Sequence, residues 1–498
     1  MFSTIFSICF VVFGILFMLP GILKARKRHW SEALVRIILT LVSAVVTFVL
    51  TSAFAPIITE AILEPITSML NGTPIEGLLA ELPSAKDALL LVISAVVTPI
   101  FFIVVFAVLK FILLVCFSRL IAKLSLKIAG KILKKDLVGN KFDKKKPKKF
   151  SPTSAALGAL CGLLAFFVFL IPVVETAATV SSVGKSVTSK GTFYDVSDGL
   201  QNNVATYIVH PVGAPLWAGF TRDTISGDKI YVEKEVNYIS TFISALMQIS
   251  SGDQETVRAS ATTFRTVSAL TESTTFVPRF SAEFINAANS HWLNGGTFVG
   301  ISMPSLSTSG GSNNNIIATF LECLDNSTPE TMKVDLAVIM NTLAVIAENA
   351  TLEGGSINMA SILENKAVIS KFSVELLQSP RLAPAMNIFV KNQMETANTY
   401  IDLPDKESED YKKLVTSLRD KYKQNVGDSV TEDSLDNLAV AIGEALDERG
   451  VYLEEHEHVA LASTFIAEFG DGEDLTDEEV AEFIEQYRRE NPDLGANA

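Results

Sequence analysis

The sequence predicts an all-α protein, with a four-helix transmembrane region followed by a large, mostly helical extracytoplasmic domain. Three observations predict it. Four apolar, charge-poor runs of membrane-spanning length lie within the first 175 of 498 residues. A basic block, Arg119–Lys149, separates the third run from the fourth and carries twelve Lys or Arg against only Asp136 and Asp143. The charge then reverses. Residues 1–175 hold 19 basic and 9 acidic side chains, net +10, and residues 176–498 hold 22 and 46, net −24, within a total of −14.

The first span, residues 2–23, contains no charge, and the cluster Lys24, Arg26, Lys27, Arg28 follows it. A cleaved signal carries its positive charge before the apolar run. The order here predicts a retained helix whose N-terminus is outside. The second span is read as Ala33–Ile58, with Arg36 snorkelling to the inner surface and Pro56 marking the outer end. The loop 59–87 carries Glu60, Glu64, Glu76, Glu81 and Asp87 against Lys86, with short helices expected at Ile62–Leu70 and Ile75–Leu82. The third span runs from Ala88 to Phe117, with a kink expected at Pro99. Beyond it Arg119, Lys123, Lys127, Lys131 and Lys135 recur every four residues opposite an apolar face. That is the pattern of an amphipathic helix on an anionic inner leaflet, and equally of a solvated loop that only fixes topology. The fourth span, Thr153–Val174, opens with Gly158 and Gly162, a spacing that lets helices approach closely, within the bundle or between copies. The excess of Lys and Arg places loops 24–32 and 119–152 in the cytoplasm. It leaves the loop 59–87 and residues 176–498 outside.

Three segments follow from this reading: a four-span region 1–175, a tether and interfacial segment 176–230, and an acidic helical domain 231–498. Thr176–Thr192 is rich in Ser, Thr and Gly and reads as a tether. A helix is expected over Phe193–His210, ending at the His210-Pro211 turn. Val212–Phe220 reads either as a piece dipping into the interface, where Trp is favoured, or as a buried loop. From Val232 onward apolar residues recur at helical spacing. Pro329 after Thr328 marks a helix start, Thr431 is an N-cap candidate, and Thr476 to Glu479 spells a capping box.

Few motifs carry chemistry. Glu454-Glu-His-Glu-His458 has metal-ligand residue types, but helix positions i and i+2 point apart, so His456 and His458 do not share a face. Gly470–Asp474 lacks the glycine that a calcium loop ending at Glu479 needs at 473. Neither is taken as a site, and no catalytic residue, metal ligand or cofactor is expected. The acidic balance argues against nucleic acid. Cys9, Cys116, Cys161 and Cys323 offer no disulfide framework to the large domain.

Residues 1–175 also resemble a known family. The basic third loop, the first helix running through Gly14-Ile-Leu-Phe-Met-Leu-Pro-Gly21 into Lys24–Arg28, and the Gly158/Gly162 opening of the fourth helix are similar to the colicin V production (CvpA-like) family of bacterial inner-membrane proteins. The resemblance implies a membrane-integral protein linked to toxin production or export and to envelope maintenance. The long acidic extension departs from the small members of that family. The expectation is therefore a non-enzymatic membrane scaffold whose partners are the bilayer, its anionic inner leaflet and envelope proteins or further copies of the chain. The alternatives are a component of a transport or export path, assembled through Gly158 and Gly162, and an exported hydrolase with scattered active-site residues.

Overall fold

A computed structural model describes residues 2–25, 30–69, 79, 82–113, 117–133, 151–187, 191–221, 229–292, 297–298, 301–302, 316–354, 356–358, 362, 365–386, 405–426, 430–448, 454–470, 472 and 475–490. The chain is all-α. Among the described residues the extended structure is confined to an isolated bridge at Lys229 and two hairpins of two-residue strands, 297–302 and 352–357. It divides into two compact units, Met1–Ser240 with Thr274–Phe276, and Thr241–Ser273 with Val277–Ala498.

The first unit is built on α1 (Phe2–Ala25), α2 (Trp30–Met69), α3 (Pro83–Phe111) and α5 (Pro152–Val187), with α4 (Ser118–Leu133) between the last two. Four helices, spanning Phe2–Ala25, Trp30–Met69, Ser84–Phe111 and Pro152–Lys185, are long and apolar enough to cross a membrane. Their polarity is inverted relative to a water-soluble bundle. Ile38, Leu41, Val45 and Val49 of α2, and Val92, Val96, Ile100 and Val104 of α3, point outward. Thr40, Ser43, Thr47 and Thr51 of α2 and Ser94 and Thr98 of α3 are buried inside. Lipid tails reward neither face for being apolar, so small side chains that let helices approach take the interior. Three of the α2 hydroxyls are satisfied locally: Thr40 donates to the Arg36 carbonyl (2.9 Å), Ser43 to Leu39 (2.7 Å) and Thr47 to Ser43 (2.7 Å).

Three expectations fail here. Pro56 does not end the second helix, which runs through Pro56 and Pro65 to Met69. A proline removes one backbone bond, and hydroxyls and neighbouring helices compensate in such bundles. Thr59 Oγ1 donates to the Ala55 carbonyl at 2.7 Å. Second, most of Thr176–Thr192 is no tether, because α5 continues to Val187. Its Ser and Thr side chains turn back onto helix carbonyls, Thr176 to Pro172 (2.7 Å) and Ser182 to Ala178 (3.1 Å), while Ser181 bonds Ser197 (2.6 Å) on α6 (Thr192–Gln201). Third, His210-Pro211 is no turn but lies inside α7 (Val204–Trp217), which Asn203 caps by accepting from the Thr206 amide at 3.2 Å. The expected helix at Ile75–Leu82 lies mostly outside the described residues.

Helix α8 (Val232–Ile249), within which the division between units falls, leads to α9 (Gln254–Thr271), α10 (Phe276–Trp292), α11 (Ile316–Cys323), α12 (Pro329–Asn349) and α13 (Lys366–Leu377). The chain closes with α14 (Glu409–Asn425), α15 (Glu432–Asp447), α16 (Glu455–Phe469) and α17 (Asp477–Glu490). Two apolar cores hold the second unit. One gathers Ala282 of α10, Met332 of α12 and Phe372 and Leu376 of α13 with Leu324 and Leu382 beside them, and the other Leu414, Tyr422, Leu435, Leu438, Phe465 and Val480 from α14–α17. The caps at Thr328, Thr431 and Thr476 form, with Glu479 accepting from the Thr476 amide at 2.8 Å. Helix α13 starts at Lys366, after the 352–357 hairpin.

Candidate functional site

A partly buried ionic cluster in the first unit is the most chemically distinctive arrangement among the described residues. Glu175 lies on α5, roughly 34 Å along the helix from Pro152 at 1.5 Å per residue, and so near the end of the bundle opposite α4. Its side chain is 5 % exposed. His210 of α7 places Nδ1 3.2 and 3.1 Å from the two Glu175 oxygens and Nε2 3.3 Å from Glu233 Oε2, at the start of α8. The imidazole thus bridges two carboxylates, one on each ring nitrogen. Gly213, one helical turn beyond His210, makes the approach possible: a Cβ there would stand 2.6 Å from Glu175 Oε1.

The cluster borders a cavity of about 320 Å³ whose walls include Thr179, Pro211, Trp217, Tyr231 and Lys234. Lys234 is turned to the Tyr231 ring, 4.7 Å from its centre. Behind the cavity Trp217 and Phe220 complete an aromatic wall with Phe48 and Phe102, with Trp217 edge-on to Phe102 at 5.8 Å and Phe48 stacked on Phe220 at 5.5 Å. Of the two readings of Val212–Phe220, the aromatic end is buried, while Val212 and Leu216 keep an exposed apolar edge.

The electrostatics follow from the bridge. The hydrogen bond to Glu175 raises the pKa of His210 above its ordinary 6.5, with burial opposing and the charges of Glu175 and Glu233 assisting. Glu233 is also held above the usual carboxylate range, by burial first and by the Glu175 charge, with His210 and Lys234 opposing. We assign the proton to the ring, as an imidazolium held chiefly by Glu175. Both ring nitrogens are then donors, which neutral imidazole cannot provide. With the ring turned to offer one nitrogen to a cation, the same three side chains could instead hold a divalent metal.

The sequence did not point to this cluster. Glu175 was read as the outer limit of the fourth span, and His210 as the end of a helix. The available signal was the His210 and Gly213 pair, three residues apart and so on one helical face once Pro211 is admitted inside the helix.

The other singled-out residues fall elsewhere. Gly158 and Gly162 pack against α1, where a Cβ on Gly158 would strike the Gly21 carbonyl and the Ala25 side chain, and one on Gly162 the Phe17 carbonyl. Because α1 covers both, they are not available to pair with another copy of this bundle. On α4, Lys123, Lys127 and Lys131 are exposed, while Ile121, Ser125 and Ala129 form the buried stripe; α4 packs on α2. Arg119 lies in the first turn of α4, and Lys135 lies outside the described residues. His456 Nδ1 stands 3.4 Å from Glu454 on the first turn of α16, whereas the His458 ring lies over Gly443 of α15. The two histidines do not converge. Gly470 and Gly472 have positive φ, and a Cβ at 472 would run into the Tyr422 ring, so this stretch serves as a turn.

Comparison with protein-family models, with curated proteins and with solved structures finds no match.

Proposed function

We propose that the protein is a non-enzymatic, multi-pass membrane scaffold whose first unit anchors an acidic helical domain. The inverted polarity of the first unit carries this reading: apolar stripes face outward and hydroxyls face inward on α2 and α3. The second unit, with its two closed cores, is built as a water-facing helical domain. The positive-inside rule supports a cytoplasmic location for loops 24–32 and 119–152, with the N-terminus and the second unit outside. Envelope proteins are the partners that this placement favours. The resemblance of residues 1–175 to the colicin V production family supports a link to toxin production or export and to envelope maintenance.

The test is labelling from outside intact cells. Cys323 is half-buried and burial pushes its thiol up, so Val440→Cys, at an exposed position of α15 in a chain cleared of its own cysteines, is the better target. Modification in intact cells by an impermeant maleimide is expected. Modification only after lysis inverts the topology. Release of peptide or glycan fragments by the purified chain, abolished by a point substitution, overturns the non-enzymatic reading in favour of an exported hydrolase.

A transport or export path is the second reading, favoured by one observation: buried hydroxyls on α2 and α3, together with the carboxylate of Glu175, line the interior of an apolar bundle. Ionisable groups within membrane-spanning helices mark ion pathways in many membrane proteins. Flux of a monovalent cation or proton through proteoliposomes, lost on Glu175→Gln, supports this path over the scaffold.

A further inference from the structure

At the end of the bundle opposite Glu175, four helices enclose a second cavity, of about 150 Å³. Three cationic side chains line it: Lys24 from α1, Arg36 from α2 and Lys110 from α3. Its remaining wall includes Gly21, Gly158 and Gly162, the glycines at which α1 and α5 meet.

The charge in this cavity is unbalanced. Glu32 takes Arg36 Nη2 at 3.1 Å in a largely buried pair. Among the described residues no carboxylate pairs with Lys24 or Lys110, and Lys110 Nζ rests 5.5 Å from the centre of the Phe106 ring. The Arg36 Nε is buried without a hydrogen-bond acceptor. Three cations against one carboxylate leave two positive charges without a carboxylate, Lys110 half-buried and Lys24 at the exposed rim, and an unpaired charge costs more the further it is removed from water. A buried guanidinium N–H without an acceptor adds to that cost. All of these shortfalls are of one kind, since each lacks an anionic oxygen.

We propose that Lys24, Arg36 and Lys110 form a binding site for a phosphate group, and that the phosphate belongs to the headgroup of an anionic phospholipid. Planar guanidinium and flanking ammonium groups suit a phosphate with several acceptor oxygens. Lipid is the favoured source because the site opens between apolar helices at the basic end of the bundle, where headgroups lie. Basic pockets between transmembrane helices take lipid phosphates in this way. The inference rests on the reading that the four helices cross a membrane. It is separate from the exposed lysines of α4, which do not border this cavity.

Native mass spectrometry and thermal denaturation of the full chain in neutral detergent test it, with phosphatidylglycerol, phosphatidylcholine and inorganic phosphate as probes. Saturable retention of one phosphatidylglycerol and a raised denaturation midpoint are expected. Lys24→Gln, at the exposed edge of the site, should weaken this by about tenfold, with Lys110→Gln adding to the loss. Lys123→Gln with Lys127→Gln should leave that single high-affinity lipid in place. Absence of saturable phosphatidylglycerol binding by the unaltered chain overturns the proposal, as does equal binding by the Lys24 and Lys110 variants. A midpoint shift by millimolar inorganic phosphate equal to that by lipid keeps the anion site and overturns its assignment to lipid. Extraction of the chain from cell membranes by alkaline carbonate tests the membrane reading on its own.

Discussion

Gly21 and Gly158 meet across the α1–α5 contact with no space for a Cβ on either. A Cβ on Gly21 would fall on the Gly158 carbonyl, and one on Gly158 would fall on the Gly21 carbonyl. Backbone carbonyls cannot rotate out of the way as side chains do. Gly158→Leu should therefore force the two helices apart and cost at least about 3 kcal/mol. A denaturation midpoint in detergent far below that of the unaltered chain is the expected reading. An unchanged midpoint would mean that the two helices do not pack through these glycines.

The His210 bridge makes the docking of α7 depend on pH. His210 and Glu233 both have pKa values raised in the folded chain, so both shifts act in the same direction. The His210 contribution to stability is present below its ordinary value of 6.5 and is lost as pH rises through the raised one, and that of Glu233 is present below its ordinary 4.5 and lost through its own raised value. Trp217 borders the same cavity and reports on it. Its fluorescence should change with pH above 6.5, and His210→Gln should abolish that change while Lys234→Gln leaves it. A titration identical in the His210 variant would rule out the bridge as the source.

In the second unit Arg381 ties four oxygen acceptors into one knot. It donates to Asp335 Oδ2 (3.3 Å), Thr331 Oγ1 (2.7 Å), Ser327 Oγ (3.1 Å) and the Asp325 carbonyl (2.6 Å). Asp335 is 2 % exposed and also accepts from Ser379 at 2.6 Å; burial raises its pKa. Arg381→Ala leaves that carboxylate without its cation and should destabilise the second unit by about 3 kcal/mol. Arg381→Ala with Asp335→Asn should recover part of the loss. The check is a double-mutant cycle by chemical denaturation of the full chain, following the transition of the second unit. Additive effects would show that the two side chains do not interact.

On α4, Leu120 and Leu124 are exposed beside Lys123 and Lys127. An apolar edge flanked by lysines suits the headgroup boundary. A Leu124→Trp substitution should add fluorescence quenched by lipids brominated high on the chain, above the background of the three native tryptophans. Emission typical of water, without quenching, would make α4 a solvated loop helix.

Much of the fold was legible in the sequence, and for local reasons. The four spans, the amphipathic helix α4 and the caps at Thr328, Thr431 and Thr476 follow from hydropathy, four-residue spacing and side-chain bonds to the adjacent turn. Each depends on neighbours within a few positions. The errors arose where a local signal was overruled by packing. Pro56 and Pro211 carry the sign of a helix end, yet α2 runs on through the first and α7 through the second. Ser and Thr at 176–182 carry the sign of a tether, yet they bond to the helix carbonyls and to α6.

The sequence by itself determined that this chain has four membrane-length helices and an acidic helical remainder, because length, apolarity and charge are sums over local residues. Only the tertiary structure decided which residues meet. Glu175 and His210 are 35 positions apart, and Glu233 lies 23 further on. Lys24, Arg36 and Lys110 come from three different helices. No local spacing encodes either gathering. Each is set by how closely glycines and small hydroxyl side chains let the helices approach.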